Sequence, residues 1–170
     1  MSNNITLIGM PGAGKSTTGI ILAKNLAIGY IDTDILIQIN CEQALQQVID
    51  EHGHLYLREI EEREILKVNI HNHVIATGGS VAYSEPAMKH LLEISTVVFL
   101  DVSLDELRRR ITNFETRGIA KRDDQTFQDL FDERNMLYNR YSHIKIDAEG
   151  FSQEEIAQEI ERAVKEYRKD

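Results

Sequence analysis

The chain has 170 residues and a formal net charge of −9. That is a size for one domain, and the sign excludes broad binding to nucleic acid or anionic membrane, whose phosphates require a basic footprint. The single cysteine, Cys41, excludes an internal disulfide and fits a reducing compartment.

The N-terminus enters an apolar run at once, with no signal peptide, and no apolar stretch approaches membrane-spanning length. The expected compartment is the cytoplasm. The first predicted strand covers 5–8 and a helix covers 15–27. Between them runs Gly9-Met10-Pro11-Gly12-Ala13-Gly14-Lys15-Ser16, which fits the phosphate-binding pattern G-x-x-x-x-G-K-[ST]. A strand that turns through glycines into a helix aims backbone N–H groups at one point, where the helix dipole adds positive potential. Gly12, Ala13, Gly14, Lys15, Ser16 and Thr17 are therefore the expected nucleotide-binding residues. Lys15 is expected to reach the outer phosphates, and the Ser16 hydroxyl to hold Mg²⁺.

A second strand at 29–31 runs into Asp32-Thr33-Asp34 and a predicted helix over 33–50. Residues two apart in extended chain share a side, so both carboxylates would face the phosphate site, one for the metal and one for an attacking hydroxyl. The competing reading is an Asp-rich helix N-cap. The next predicted helix, 53–71, carries Arg58, Glu61 and Glu62 at spacings that share a face. By spacing alone that face reads as solvated charge.

A third strand, 73–76, ends in Thr77-Gly78-Gly79-Ser80, where two glycines permit close ligand approach or form an ordinary turn. Ser84 with Pro86 announces a helix over 84–92. After a strand at 96–100, Ser103-x-x-Glu106 signs a helix over 104–112 as a capping box. The stretch 112–124 has little periodicity. It reads either as a surface loop or as a lid that brings Arg117 over the phosphates. Arg110 before it and Arg134 in the helix predicted at 125–141 complete a set of cations. Such a set in an acidic chain suggests a substrate with its own anionic group. A strand at 143–146 and a helix at 153–167 close the chain; Ser152-x-x-Glu155 starts that helix, and Ile156, Ile160 and Val164 form its apolar stripe. The six histidines show no metal-binding pattern.

Strands alternating with helices predict a three-layer α/β/α fold with a five-stranded parallel sheet. Ligands of such sheets bind beyond the carboxyl ends of the strands. The expected organisation is one kinase domain over 1–170, with substrate-binding helices at about 33–71 and a lid at about 112–124.

These residues together resemble the shikimate kinases, a branch of the P-loop NTPase, nucleoside-monophosphate-kinase-like fold. The phosphate loop, Asp32-Thr33-Asp34, Arg58-Glu59-Ile60-Glu61-Glu62, Thr77-Gly78-Gly79, Arg117 and Arg134-Asn135-Met136-Leu137-Tyr138 occur in the family's order and intervals. The resemblance implies ATP-dependent phosphorylation of a shikimate hydroxyl, with Mg²⁺. In it Asp34 activates the hydroxyl, Asp32 meets the metal through water, Arg58 and Arg134 hold the substrate carboxylate, and Gly79 offers its backbone N–H. Lys15 and Arg117 stabilise the transferring phosphoryl group, and Arg110 packs on the adenine. No partner beyond the small-molecule substrate is implied, and a monomer is expected. The chain departs from the family pattern at Ser80 in place of a third glycine, at Gly118-Ile119 after the lid arginine, and at aliphatic Ile49 and Leu57. These departures fall on the acceptor side. They keep open a relative acting on another hydroxylated acid or polyol, beside a nucleoside monophosphate kinase and a nucleotide-binding regulatory protein without turnover.

Overall fold

The computed structural model describes residues 3–111 and 118–169. Five strands, β1 (Asn4–Ile8), β2 (Gly29–Asp32), β3 (His73–Ala76), β4 (Ser95–Asp101) and β5 (Ile144–Asp147), pair in parallel in the order β2-β3-β1-β4-β5. Every residue of β1 is buried, and β4 is buried up to its last residue. Strands read as continuous apolar runs when helices cover both faces of a parallel sheet. Helix α1 (Lys15–Leu26) follows β1 and packs on α8 (Gln153–Tyr167). Helices α5 (Glu85–Ile94), α6 (Leu104–Arg110) and α7 (Phe127–Tyr141) fill the later crossovers. The expected three-layer α/β/α fold is the observed one.

The main core lies between the sheet and these layers, around residues such as Leu7, Ile75, Val98, Phe99 and Ile160. A second, smaller core of Ile37, Val48, Leu57, Ile60 and Ala120 holds together α2 (Thr33–Cys41), α3 (Leu45–His52) and α4 (His54–Leu66). This helical annex stands beyond the carboxyl end of β2.

The structure corrects the helix predicted over 33–50. It is two helices, because Glu42 adopts a left-handed φ of 54° and its N–H turns back to the carbonyls of Gln38 and Ile39. That closure satisfies end carbonyls without the glycine that usually marks it. The helix predicted over 53–71 begins after Gly53, at φ 85°, and stops at Leu66. Helix starts at Ser84 and Ser152 are as read, whereas Ser103 forms only half a box, since the Glu106 carboxylate pairs with Arg109 and Arg110. A further full box, Thr126 with Asp129, starts α7.

Candidate active site

Local sequence builds the phosphate side. Gly14, at φ 95°, lets the chain leave β1 and enter α1 directly, a left-handed conformation that glycine adopts without strain. The loop closes on itself through the Ala13 N–H to the Met10 carbonyl, at 3.1 Å. Lys15 Nζ donates to the Gly9 and Met10 carbonyls at 2.8 and 3.0 Å, so the ammonium lies folded along the loop rather than out in solvent. At the end of β2 the Asp32 carboxylate does two things. One oxygen accepts the Asp34 N–H at 3.0 Å, capping α2, and the other accepts the Ser16 hydroxyl at 2.6 Å. The competing reading of Asp32 as a helix N-cap is thus observed, while its second oxygen faces the phosphate loop. The two aspartates are not alternate residues of one strand, because Asp34 already lies in α2. Tyr30 also donates to Asp32, at 3.2 Å, and burial together with that carboxylate pushes the phenol pKa up.

Lys15, Ser16 and Asp34 face a cavity of about 160 Å³ beyond the strand ends, whereas Asp32 and Tyr30 stand behind its lining. Gly12, Gly14, Lys15, Ser16 and Thr17 line it from the phosphate side; Asp34, Glu61, Gly79, Ser80 and Arg134 line it from the other. Ala13 is buried within the loop. The glycine pair after β3 exists for close approach: a Cβ on Gly78 would strike the Glu61 carboxylate and lie 2.6 Å from Asp34 Oδ1, and one on Gly79 would lie 2.7 Å from Arg134 Nη1 and 2.9 Å from Pro11. Gly79 therefore touches both sides of the cavity at once.

The charged face of α4 is not a solvated one. Glu61 is buried and accepts a hydrogen bond from the Ser80 hydroxyl, and Glu62 accepts one from Ser84 at 2.6 Å. Burial, then the nearby Asp34 carboxylate, push the Glu61 pKa up to about 7, against the pull of Ser80, Arg134 and Arg58. Arg58 lies across the Tyr83 ring, 3.6 Å from its centroid, a cation–π contact. Burial lowers its pKa. Its Nε and Nη2 are buried with no hydrogen-bond partner, as is Nε of Arg134. Arg134 is 1% exposed and donates from Nη2 to the Ala120 carbonyl at 2.7 Å. Buried guanidinium N–H groups without acceptors are expensive, and their arrangement suits an incoming carboxylate.

Not every predicted residue meets in the cavity. Arg58 lines an adjacent groove with Tyr83 and shares only Glu61 and Ser80 with the central space. Arg110 is held by Glu106 at 2.8 Å and the Ala148 carbonyl at 3.4 Å, outside the cavity lining. Arg117 lies outside the described residues, as does 112–117 of the predicted lid. Of the rest, Gly118, Ile119 and Ala120 line the cavity, and the Gly118 N–H donates to Gln46 in α3 at 2.9 Å.

Three contributors went unread in the sequence. Tyr83 supports Arg58. Tyr138 donates to the Gly79 carbonyl at 2.5 Å, and Gln153 accepts from Thr18 behind the phosphate loop. Only Tyr138 carried a signal, since it lies one turn beyond Arg134 on α7.

Ser16 and Asp32 fit Mg²⁺: a hydroxyl and a carboxylate are hard oxygen donors, already 2.6 Å apart. Mg²⁺ is commonly held by one or two such groups, with waters and substrate phosphates completing its shell. The absence of any cluster of three His, Cys, Asp or Glu side chains among the described residues is compatible with that mode.

A shikimate kinase family model matches residues 11–165. A shikimate kinase of Sulfurihydrogenibium sp. is 34% identical over 163 residues, covering 95% of this chain and 98% of the relative. One from Clostridium botulinum is 35% identical over 167 residues, covering 96% and 98%. Among solved structures, shikimate kinase from Acinetobacter baumannii in complex with shikimate superposes with a TM-score of 0.89 at 25% identity, covering 96% of this chain and 93% of that one. The Mycobacterium tuberculosis APS kinase, at 15% identity and a TM-score of 0.60, shares the fold.

Proposed function

The chain belongs to the shikimate kinase family, and from that premise we propose that it transfers the γ-phosphoryl group of ATP to a hydroxyl of shikimate, giving shikimate 3-phosphate and ADP. The observation that carries this reading is the shared cavity: Lys15 and the phosphate loop on one side, Asp34 and Arg134 on the other. A phosphoryl donor and an anionic alcohol would there meet head to head.

In this reading the loop N–H groups at the start of α1 cradle the phosphates. The Asp34 carboxylate accepts the proton of the attacking hydroxyl. The alcohol oxygen forms a bond to the γ-phosphorus as the bond from that phosphorus to the β-phosphate oxygen breaks. Lys15 offsets the charge on the phosphoryl oxygens, in the manner of other phosphoryl-transfer sites. The family resemblance gives Arg117 a share of that task and puts Arg110 beside the adenine. Ser16, and Asp32 through water, would hold Mg²⁺, which when bound neutralises charge on the β- and γ-phosphates. Arg58 and Arg134 would take the acceptor's carboxylate on their unpartnered N–H groups, and the Gly79 N–H would face the ring substituents. In this reading the protein would act alone in the cytoplasm, as a single kinase domain.

The test is ADP release from Mg-ATP with shikimate, gluconate, homoserine and CMP offered in turn. Turnover with shikimate alone is expected. Turnover with gluconate or another polyol acid instead would move the acceptor class. Tight ATP binding with no ADP from any acceptor would favour a regulatory protein.

A further inference from the structure

Residues 118–120 form a short strap in the cavity wall. Gly118, Ile119 and Ala120 all line the central cavity, beside Leu45 of α3 and Arg134 of α7. The far end of the strap is sealed. Ile119 is buried in the main core, Ala120 is buried in the annex core with Val48 and Leu57, and the Ala120 carbonyl accepts from Arg134 Nη2 at 2.7 Å. The near end rests on one hydrogen bond, from the Gly118 N–H to Gln46 Oε1 at 2.9 Å. Gly118 has a φ of 68°, and a Cβ there would lie 2.7 Å from Leu45 Cβ and 3.0 Å from the Gln46 backbone nitrogen. Glycine alone takes that φ without strain and lets the strap approach α3 so closely. A proline would in addition have no N–H to give. Gly118 is one of the positions at which the chain departs from the family pattern, and this contact is what the departure permits. The Gln46 amide is itself aimed, because its Nε2 donates to Asp50 Oδ1 at 2.8 Å. Turned over, the amide would set its NH₂ against the Gly118 N–H and its oxygen against the Asp50 carboxylate.

We propose that Gln46 is a positioning residue for the acceptor: its amide oxygen pins Gly118 to α3, which fixes the strap and, two residues on, the Ala120 carbonyl that holds the Arg134 guanidinium. Without that pin the Gly118 N–H loses its acceptor and the strap is anchored at its far end only. Arg134 then keeps its carbonyl partner on a looser segment and meets the substrate's anion less well placed. Gln46 does not line the cavity, and in this scheme it touches neither nucleotide nor substrate. Its effect passes through residues 118–120 and Arg134 and belongs to acceptor affinity. The inference rests on the shikimate kinase reading above.

The test compares wild type, Gln46→Met and the Gln46→Glu/Asp50→Asn double variant in steady-state kinetics with shikimate and Mg-ATP. Gln46→Met keeps the length of the side chain and removes the acceptor. The double variant exchanges amide and carboxylate at unchanged net charge, so that position 46 still accepts from Gly118 and still pairs with position 50. Loss of one hydrogen bond between neutral groups corresponds to about a three- to tenfold change. Gln46→Met is expected to raise the KM for shikimate by that factor, with kcat and the KM for ATP within about twofold of wild type. The double variant is expected to restore the shikimate KM. An unmoved shikimate KM in Gln46→Met, an equal loss in kcat or in the KM for ATP, or no recovery in the double variant would overturn the proposal while leaving the kinase assignment intact. A wild-type protein that does not phosphorylate shikimate would overturn both.

Discussion

The phosphate side of the cavity uses residues 9–17, which follow one another along the chain, and much of its binding capacity is backbone N–H. The acceptor side draws Asp34 from α2, Arg58 and Glu61 from α4, Gly79 and Ser80 from the turn after β3, and Arg134 from α7. The first side rests on the main core beneath the sheet; α2 and α4 rest on the small satellite core of the annex. A loop whose donors are main-chain groups tolerates change in its side chains, and Met10 and Ala13 merely fill space there. A site assembled from distant side chains is sensitive to each of them. In the proposed reading, substrate identity resides on the acceptor side, where Ser80 and Leu57 depart from the family pattern and line the cavity while Ile49 packs against the annex core outside it, and the reaction type resides on the phosphate side.

The largest expected effect breaks the phosphate side. Lys15→Ala removes the one cation built into the loop, and kcat is expected to fall by about 10³-fold or more, the scale on which cations act on a transferring phosphoryl group. Retained turnover in a single-turnover assay would remove Lys15 from the mechanism. Next comes the junction. Asp34→Asn keeps the shape but not the base, so kcat should drop by about 10²-fold or more while ATP affinity, read by calorimetry, stays near wild type. If ATP affinity falls in step with kcat, Asp34 belongs to the phosphate side instead. On the acceptor side Arg58→Ala should raise the KM for shikimate about ten- to a hundredfold, the cost of a lost charge-assisted hydrogen bond. An unchanged KM would mean that the acceptor's anion sits on Arg134 alone.

The smallest effect is a dependence of stability on pH. Burial first, and Asp34 second, raise the Glu61 pKa from its ordinary 4.5 to about 7. An acid that holds its proton more tightly when folded adds stability below its unfolded pKa and loses that contribution as pH rises through the folded one. Wild type should therefore lose thermal stability relative to Glu61→Gln between about pH 4.5 and 7. Scanning calorimetry across that range checks this, and parallel curves for the two proteins would contradict it.

Much of this is legible in the sequence. The alternation of apolar runs with amphipathic stretches specified a parallel α/β sheet, because strand and helix periods are local properties of the chain. The phosphate loop was legible for the same reason: its glycines, lysine and serine act within a few residues of where they are written. Spacing alone did not single out Arg58, Glu61 and Glu62, since the spacing that puts them on one helix face is equally that of a solvated surface; the family resemblance pointed to Arg58, and only the turn after β3 and Ser84 packing against α4 turn that face inward. The break at Glu42 is not legible in the sequence, because a left-handed residue other than glycine leaves no compositional mark.

What the sequence alone determined is the phosphate machinery and the layer order, both set by contacts between near neighbours in the chain. What the tertiary structure alone decided is which charges are buried and whom they face: that Arg134 is sealed under Ala120, that Arg58 rests on Tyr83, and that Ser80 holds Glu61. Those pairings join residues separated by 14 to 25 positions, and a sequence does not record which distant groups share a low-dielectric space, although that sharing sets their hydrogen bonds and charge states.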